Sequence, residues 1–97
     1  MENDKSKNLV WIDLEMTGLD EKKHVIIEIA SLVTDSNLEE LAIGPTIAIK
    51  RTSKELSKIN AWSKEQHTKS GLIERVKDSS INISEAEKIT LKFLKKF

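Results

Sequence analysis

The stretch that most constrains this chain is Asn8 to Asp20, NLVWIDLEMTGLD. Its start, Leu9 to Leu14, is apolar at odd and even positions alike apart from Asp13, and residues alternate between faces along a strand. Such a strand expects a central place in a sheet with both faces covered. Two acids, Asp13 and Glu15, then fall on one of those faces. The run breaks at Thr17-Gly18, where Gly18 supplies a turn.

Downstream segments read as support for that strand. Val25 to Thr34 (VIIEIASLVT) is a second strand by its β-branched content. Asp35-Ser36-Asn37 signals a hairpin. Leu38 to Lys50 gives a third strand, interrupted at Gly44-Pro45; proline cannot donate to a ladder, so the strand lies at an edge or bulges there. Short connections make the three an antiparallel meander. From Ser53 the pattern turns helical: Lys54 to Ile59, then Asn60 capping a helix to Ser70 with Gly71 as its stop, then Leu72 to Lys77. Ser84 and Glu87 have capping-box spacing at the head of a last helix. Its apolar face is Ala86, Ile89, Thr90, Phe93, Leu94 and Phe97.

A chain of 97 residues makes one small domain of α+β or α/β class, residues 1–97, with residues 1–7 a flexible tail. The last helix stops on a residue of its apolar face, which looks like a domain cut short. Such a cut would leave the first strand at an edge with apolar surface exposed. Lys plus Arg and Asp plus Glu are 16 each, which argues against a domain that grips long nucleic acid by its backbone, since such binding needs a basic face. A short substrate with few phosphates remains possible. The absence of cysteine rules out disulfides and thiolate metal sites and fits a reducing compartment. The N-terminus has no apolar signal region and no run of about 18 apolar residues occurs, so we expect a cytoplasmic protein without a membrane span.

Asp13 and Glu15 are the residues with chemistry to offer. Two positions along a strand separate them by about 6.8 Å on one face, and the longer Glu arm lets both carboxylates converge. Oxygen ligands of this kind suit hard cations such as Mg²⁺ and Mn²⁺. The plainer reading is a solvated strand end, since D-x-E is a short motif. Sharing a face with Leu9 and Trp11 should leave the acids partly desolvated and in need of cations. Trp62, among Lys64, Glu65 and Gln66, reads equally as a base platform or as an anchor packed on the sheet. His67 reads first as a surface or capping histidine, and His24 as solvent-exposed without a partner. Glu28, inside an apolar run, reads first as salt-bridged, and second as an outer partner of a metal site.

WIDLEMTGLD resembles the first exonuclease motif of the DEDD superfamily of 3′→5′ exonucleases, and most closely its oligoribonuclease branch. The likeness continues through IIEIASLVTDSNLEELAIGPTIAI, AWSKEQHTKSG and LIERVKDSS, from about Asn8 to Phe97. It implies the N-terminal half of a ribonuclease-H-like fold. The implied activity is removal of nucleotides from the 3′ end of very short single-stranded RNAs, dinucleotides above all, with two divalent metals, Mg²⁺ or Mn²⁺.

Under the resemblance, Asp13 and Glu15 are the first two metal-ligating acids. Leu19 is the wedge against a substrate base, and Met16, Thr17 and Gly18 line the terminal nucleotide. Trp62 and His67 are substrate contacts, with Ser70 in the same segment. A third acid, a general-base histidine, a fourth acid, the homodimer contacts and a tyrosine lent by the partner subunit all belong to the family's other half. No general base is therefore assigned in this chain, and it is expected to hydrolyse little or nothing alone. The alternative is a non-catalytic remnant that binds short RNA, or a partner chain, through Leu19, Trp62 and the sheet edge. A purely structural α+β domain is a third reading, which leaves Asp13 and Glu15 unexplained.

Overall fold

A computed structural model describes residues 5–97. Lys5–Lys7 form a 3-10 turn, with the Lys5 ammonium donating to the Lys96 carbonyl at 3.2 Å; the remainder of the expected tail lies outside the described residues. Three strands follow, β1 (Leu9–Met16), β2 (Ile26–Thr34) and β3 (Glu40–Ala48), then four helices, α1 (Ser53–Ser57), α2 (Ala61–Lys69), α3 (Leu72–Asp78) and α4 (Ile83–Leu94). The sheet is an antiparallel meander in the order β1-β2-β3, as the short connections predict.

β1 is an edge strand of this sheet, not a central one. Its outer side has no neighbour among the described residues, and Leu9, Val10, Trp11 and Ile12 are each 40–52% exposed. Their double-sided apolar pattern therefore buries little here. The register runs from Leu9 opposite Thr34 to Glu15 opposite Glu28, and shifts between Glu15 and Met16. β3 is both bulged and an edge. Ala30 pairs with Thr46 and Leu32 with Ile43, so Gly44 and Pro45 together face Ser31, and the proline nitrogen is kept out of the ladder.

The helices begin where polar side chains replace missing backbone partners. Thr52 and Glu55 close a capping box on α1, and Asn60 accepts from the Ser63 amide at the head of α2. Gly71 sits at φ 80°, a left-handed conformation that ends α2 and opens α3. The capping box of α4 is Asn82 with Glu85, two residues upstream of the expected Ser84–Glu87 pair. The earlier start turns the helix so that Ala86 and Thr90 are buried while Ile89 is 39% exposed.

Two small clusters hold the layers together. Ile27, Leu72 and Val76 fix α3 to the sheet, and Ile47, Ile49 and Ala86 fix α4. The radius of gyration is 15.4 Å, against about 12–13 Å for a compact chain of this length. The elongation leaves the β1 end of the sheet open to solvent, and there the candidate site lies.

Candidate functional site

Asp13 and Glu15 project from the same face of β1 near its end. Asp13 is exposed, and the Glu15 side chain retains 42% of its accessibility. The expected desolvation of Asp13 does not occur, because β1 lacks an outer neighbour to exclude water. The register shifts after Glu15, so that Met16 pairs with Ile26, and the Met16 carbonyl meets α2 through His67.

Thr17 and Gly18 build the loop that follows, and Gly18 also lines the cleft between Leu19 and Trp62. Thr17 is fully buried. Its amide donates to the Val25 carbonyl, its hydroxyl accepts from the Val25 amide and its carbonyl accepts from the Asn60 amide, all at 2.9–3.0 Å. Through these bonds Thr17 is a pin between the strand end and the cap of α2. Gly18 is buried under the ring of His24, and a Cβ there would stand 2.4 Å from that ring. Close approach, not a left-handed turn, requires glycine at this position. His24 is accordingly neither exposed nor unpartnered: it is half-buried, and its Nδ1 accepts from the Asp20 amide at 3.0 Å. The folded loop holds Leu19 outward, 88% exposed.

The opposite wall is α2. Trp62 is 69% exposed, so it is not an anchor packed on the sheet. One turn further along, His67 is buried at 5% exposure, and its Nε2 lies 2.9 Å from the Met16 carbonyl. A carbonyl only accepts, so Nε2 carries the proton and donates it. The same Nε2 is 3.9 Å from a Glu15 carboxylate oxygen. His67 is thus a strut between α2 and the end of β1, beside Glu15, and not the surface histidine first expected. The Ser70 hydroxyl donates to the His67 carbonyl at 3.2 Å and steadies the end of the helix.

Between the walls run two adjoining clefts. One, of about 300 Å³, is lined largely by apolar groups, with Leu14, Met16 and Leu19 facing Trp62. The other, of about 330 Å³, is polar, with Glu28, Gln66, Ser70 and Arg75. Glu15, Trp62 and His67 line both. Arg75 and Gln66 escaped the sequence reading. The one signal for Arg75 was that Glu28, in an apolar run, needs a cation, and the chain has only two arginines.

The donor set was tested for a divalent cation. Asp13 and Glu15 supply hard oxygen donors from one face, the chemistry that Mg²⁺ and Mn²⁺ accept. They fit a cation as a two-carboxylate platform. Among the described residues no group of three or more His, Cys, Asp or Glu side chains is placed to hold an ion. His67 does not complete a set, because its Nε2 proton is committed to Met16.

The model of the Exonuclease family matches residues 10–97, and the chain belongs to that family. Among curated relatives, the oligoribonuclease of Escherichia coli O157:H7 is 56% identical over 90 residues, 93% of this chain and 50% of that protein. The oligoribonucleases of Dichelobacter nodosus (54% over 94 residues) and Vibrio vulnificus (55% over 91 residues) cover 97% and 94% of this chain, and 52% and 50% of their own lengths. The chain thus spans about half the length of the curated relatives it matches. The three-stranded antiparallel sheet followed by four helices is consistent with a partial ribonuclease-H-like exonuclease domain.

Proposed function

We propose that this chain carries the substrate-gripping and first metal-ligating half of an oligoribonuclease site, one that removes nucleotides from the 3′ end of very short RNA. The observation that carries the reading is the placement of Glu15 between the two clefts, beside exposed Trp62 and opposite exposed Leu19. An aromatic face and an aliphatic wedge grip one base in a sequence-tolerant way. A two-nucleotide RNA is short enough for this groove, and its few phosphates need no extended basic surface.

Asp13 and Glu15 would hold Mg²⁺ or Mn²⁺, which when bound polarises a phosphoryl oxygen and activates water. The chain's own residues do the rest of the positioning. Leu19 and Trp62 fix the terminal base, Met16 lines the apolar cleft, and Ser70 lines the polar one. His67 sets the distance between the walls. Thr17 and Gly18 serve through the shape of the loop.

Two carboxylates and no available general base make hydrolysis by the 97-residue chain weak or absent, while binding persists. The same observation favours the second reading, a binding remnant without turnover. No helix among the described residues is long and apolar enough to cross a membrane; with no cysteine in the sequence, we place the protein in the cytoplasm.

The test is a titration of the chain with a two-nucleotide RNA in Mn²⁺, read by tryptophan fluorescence and by product analysis. Binding that is lost in Trp62→Ala and weakened in Asp13→Ala, with little or no mononucleotide released, is expected. Efficient turnover by the pure chain would overturn the assignment of an incomplete site. Failure to bind, or binding indifferent to Trp62, would overturn the RNA reading itself.

A further inference from the structure

Glu15 has an acidic neighbour that the motif does not include. Across the ladder it stands directly opposite Glu28, and side chains of an opposed antiparallel pair lie about 5 Å apart at Cβ. Two like charges in that relation repel. The Glu28 side chain is only 15% exposed, and its carboxylate is held at 2.7 Å by Nη1 of Arg75, reaching over from α3. Glu15, Glu28 and Arg75 line the same polar cleft, yet among the described residues no third carboxylate is positioned with Asp13 and Glu15 to hold an ion.

We propose that Arg75 is a positioning residue that withholds Glu28 from the cation site, and so sets the charge and the number of carboxylates that Asp13 and Glu15 present. The inference rests on the reading of those two acids as cation ligands. The geometry supplies each part of it. Glu28 has the right chemistry and the right strand position to join the site. The arginine clamp turns its carboxylate toward α3, and the guanidinium charge cancels the field that Glu28 would otherwise exert at Glu15. A pair kept only to join α3 to the sheet would influence folding stability and leave cation affinity alone.

The experiment is Mn²⁺ binding to the whole 97-residue chain, followed by electron paramagnetic resonance of the free ion and checked by calorimetry, so no turnover is needed. Arg75→Met frees Glu28 and removes a positive charge beside Glu15. It is expected to tighten Mn²⁺ binding on the order of three- to tenfold, the scale of one unit charge acting on a divalent ion at partly solvated range. Adding Glu28→Gln to Arg75→Met should return the affinity to that of the unaltered chain. Glu28→Gln alone leaves the Arg75 charge uncompensated and should weaken binding several-fold.

Unchanged or weakened binding in Arg75→Met, with circular dichroism showing a folded protein, would overturn the proposal. Should that variant not fold, Glu28→Gln decides, since Gln still accepts from the guanidinium; an unchanged Mn²⁺ affinity there overturns it. Asp13→Ala separates the two levels. If Asp13→Ala loses Mn²⁺ while the Arg75 and Glu28 variants do not move it, only this inference falls. If Asp13→Ala binds Mn²⁺ as well as the unaltered chain does, the underlying site falls too.

Discussion

The buried His67 donates its Nε2 proton to the carbonyl of Met16 at 2.9 Å, tying α2 to the end of β1 beside Glu15. Together with the bond from the Asn60 amide to the Thr17 carbonyl, it holds the wall carrying Trp62 against the strand carrying the acids. Replacing His67 by Ala removes the donor, leaves a carbonyl short of a partner and opens a cavity. A loss of about 2 kcal/mol is expected from the hydrogen bond and the packing together, measured by urea denaturation. The two clefts should also merge, so dinucleotide affinity falls with stability. A neutral His67→Ala would show that the strut carries no strain between the walls.

Gly18→Ala tests the loop. The new methyl meets the His24 ring, which can move aside only by giving up its bond from the Asp20 amide. A cost of about 1 kcal/mol is expected, together with faster hydrogen exchange at the Asp20 amide and a more mobile Leu19. If exchange there is unchanged, His24 does not hold the loop.

Much of this was readable from the sequence, for identifiable reasons. The strands were legible because β-branched runs end at turn residues, and Asn60 and Gly71 marked α2 because caps and stops are local chemistry. The pairing of Asp13 with Glu15 followed from strand periodicity alone. What escaped was set at long range. His67 is buried because Met16 offers a carbonyl from 51 positions away, and no local pattern reports that. Glu28 showed its need for a partner but not that Arg75 would meet it. The box on α4 was misplaced because Asn82 and Ser84 both cap well and tertiary packing chose between them. That Thr17 would be buried and tied to Val25 and Asn60 was likewise not visible locally.

Thr90→Val should stabilise the protein. The Thr90 hydroxyl is buried and has no hydrogen-bond partner among the described residues. Valine keeps the shape and removes the unsatisfied group, for a gain of about 1 kcal/mol. Thermal unfolding is the measurement, and a lowered midpoint would mean that the hydroxyl finds a partner in solution.

Glu55 gives a pH signature at the other end of the molecule. The Thr52 amide that it accepts from in the capping box is the main cause holding its carboxyl below the ordinary 4.5, with Arg51 adding to the effect. A carboxyl lowered in the folded state adds stability above its unfolded pKa, and that stability fades as pH falls through the folded value. Stability should therefore drop below about pH 4.5, and Glu55→Gln should remove this component. The group is about a third exposed, so screening limits the effect to a few tenths of a kcal/mol, about the size of other surface pairs. Urea midpoints from pH 6 down to pH 3, with and without the substitution, check it.

The most direct test of the central claim is a residue-by-residue map of where a two-nucleotide RNA binds, from ¹⁵N chemical-shift changes in the presence of Mg²⁺. The account predicts shifts concentrated at Glu15, Leu19 and the Trp62 indole, with His67 responding and the separate cleft lined by Arg51, Ile59, Lys64 and Lys77 silent. Shifts centred instead on that cleft, or none at Leu19 and Trp62, would contradict it.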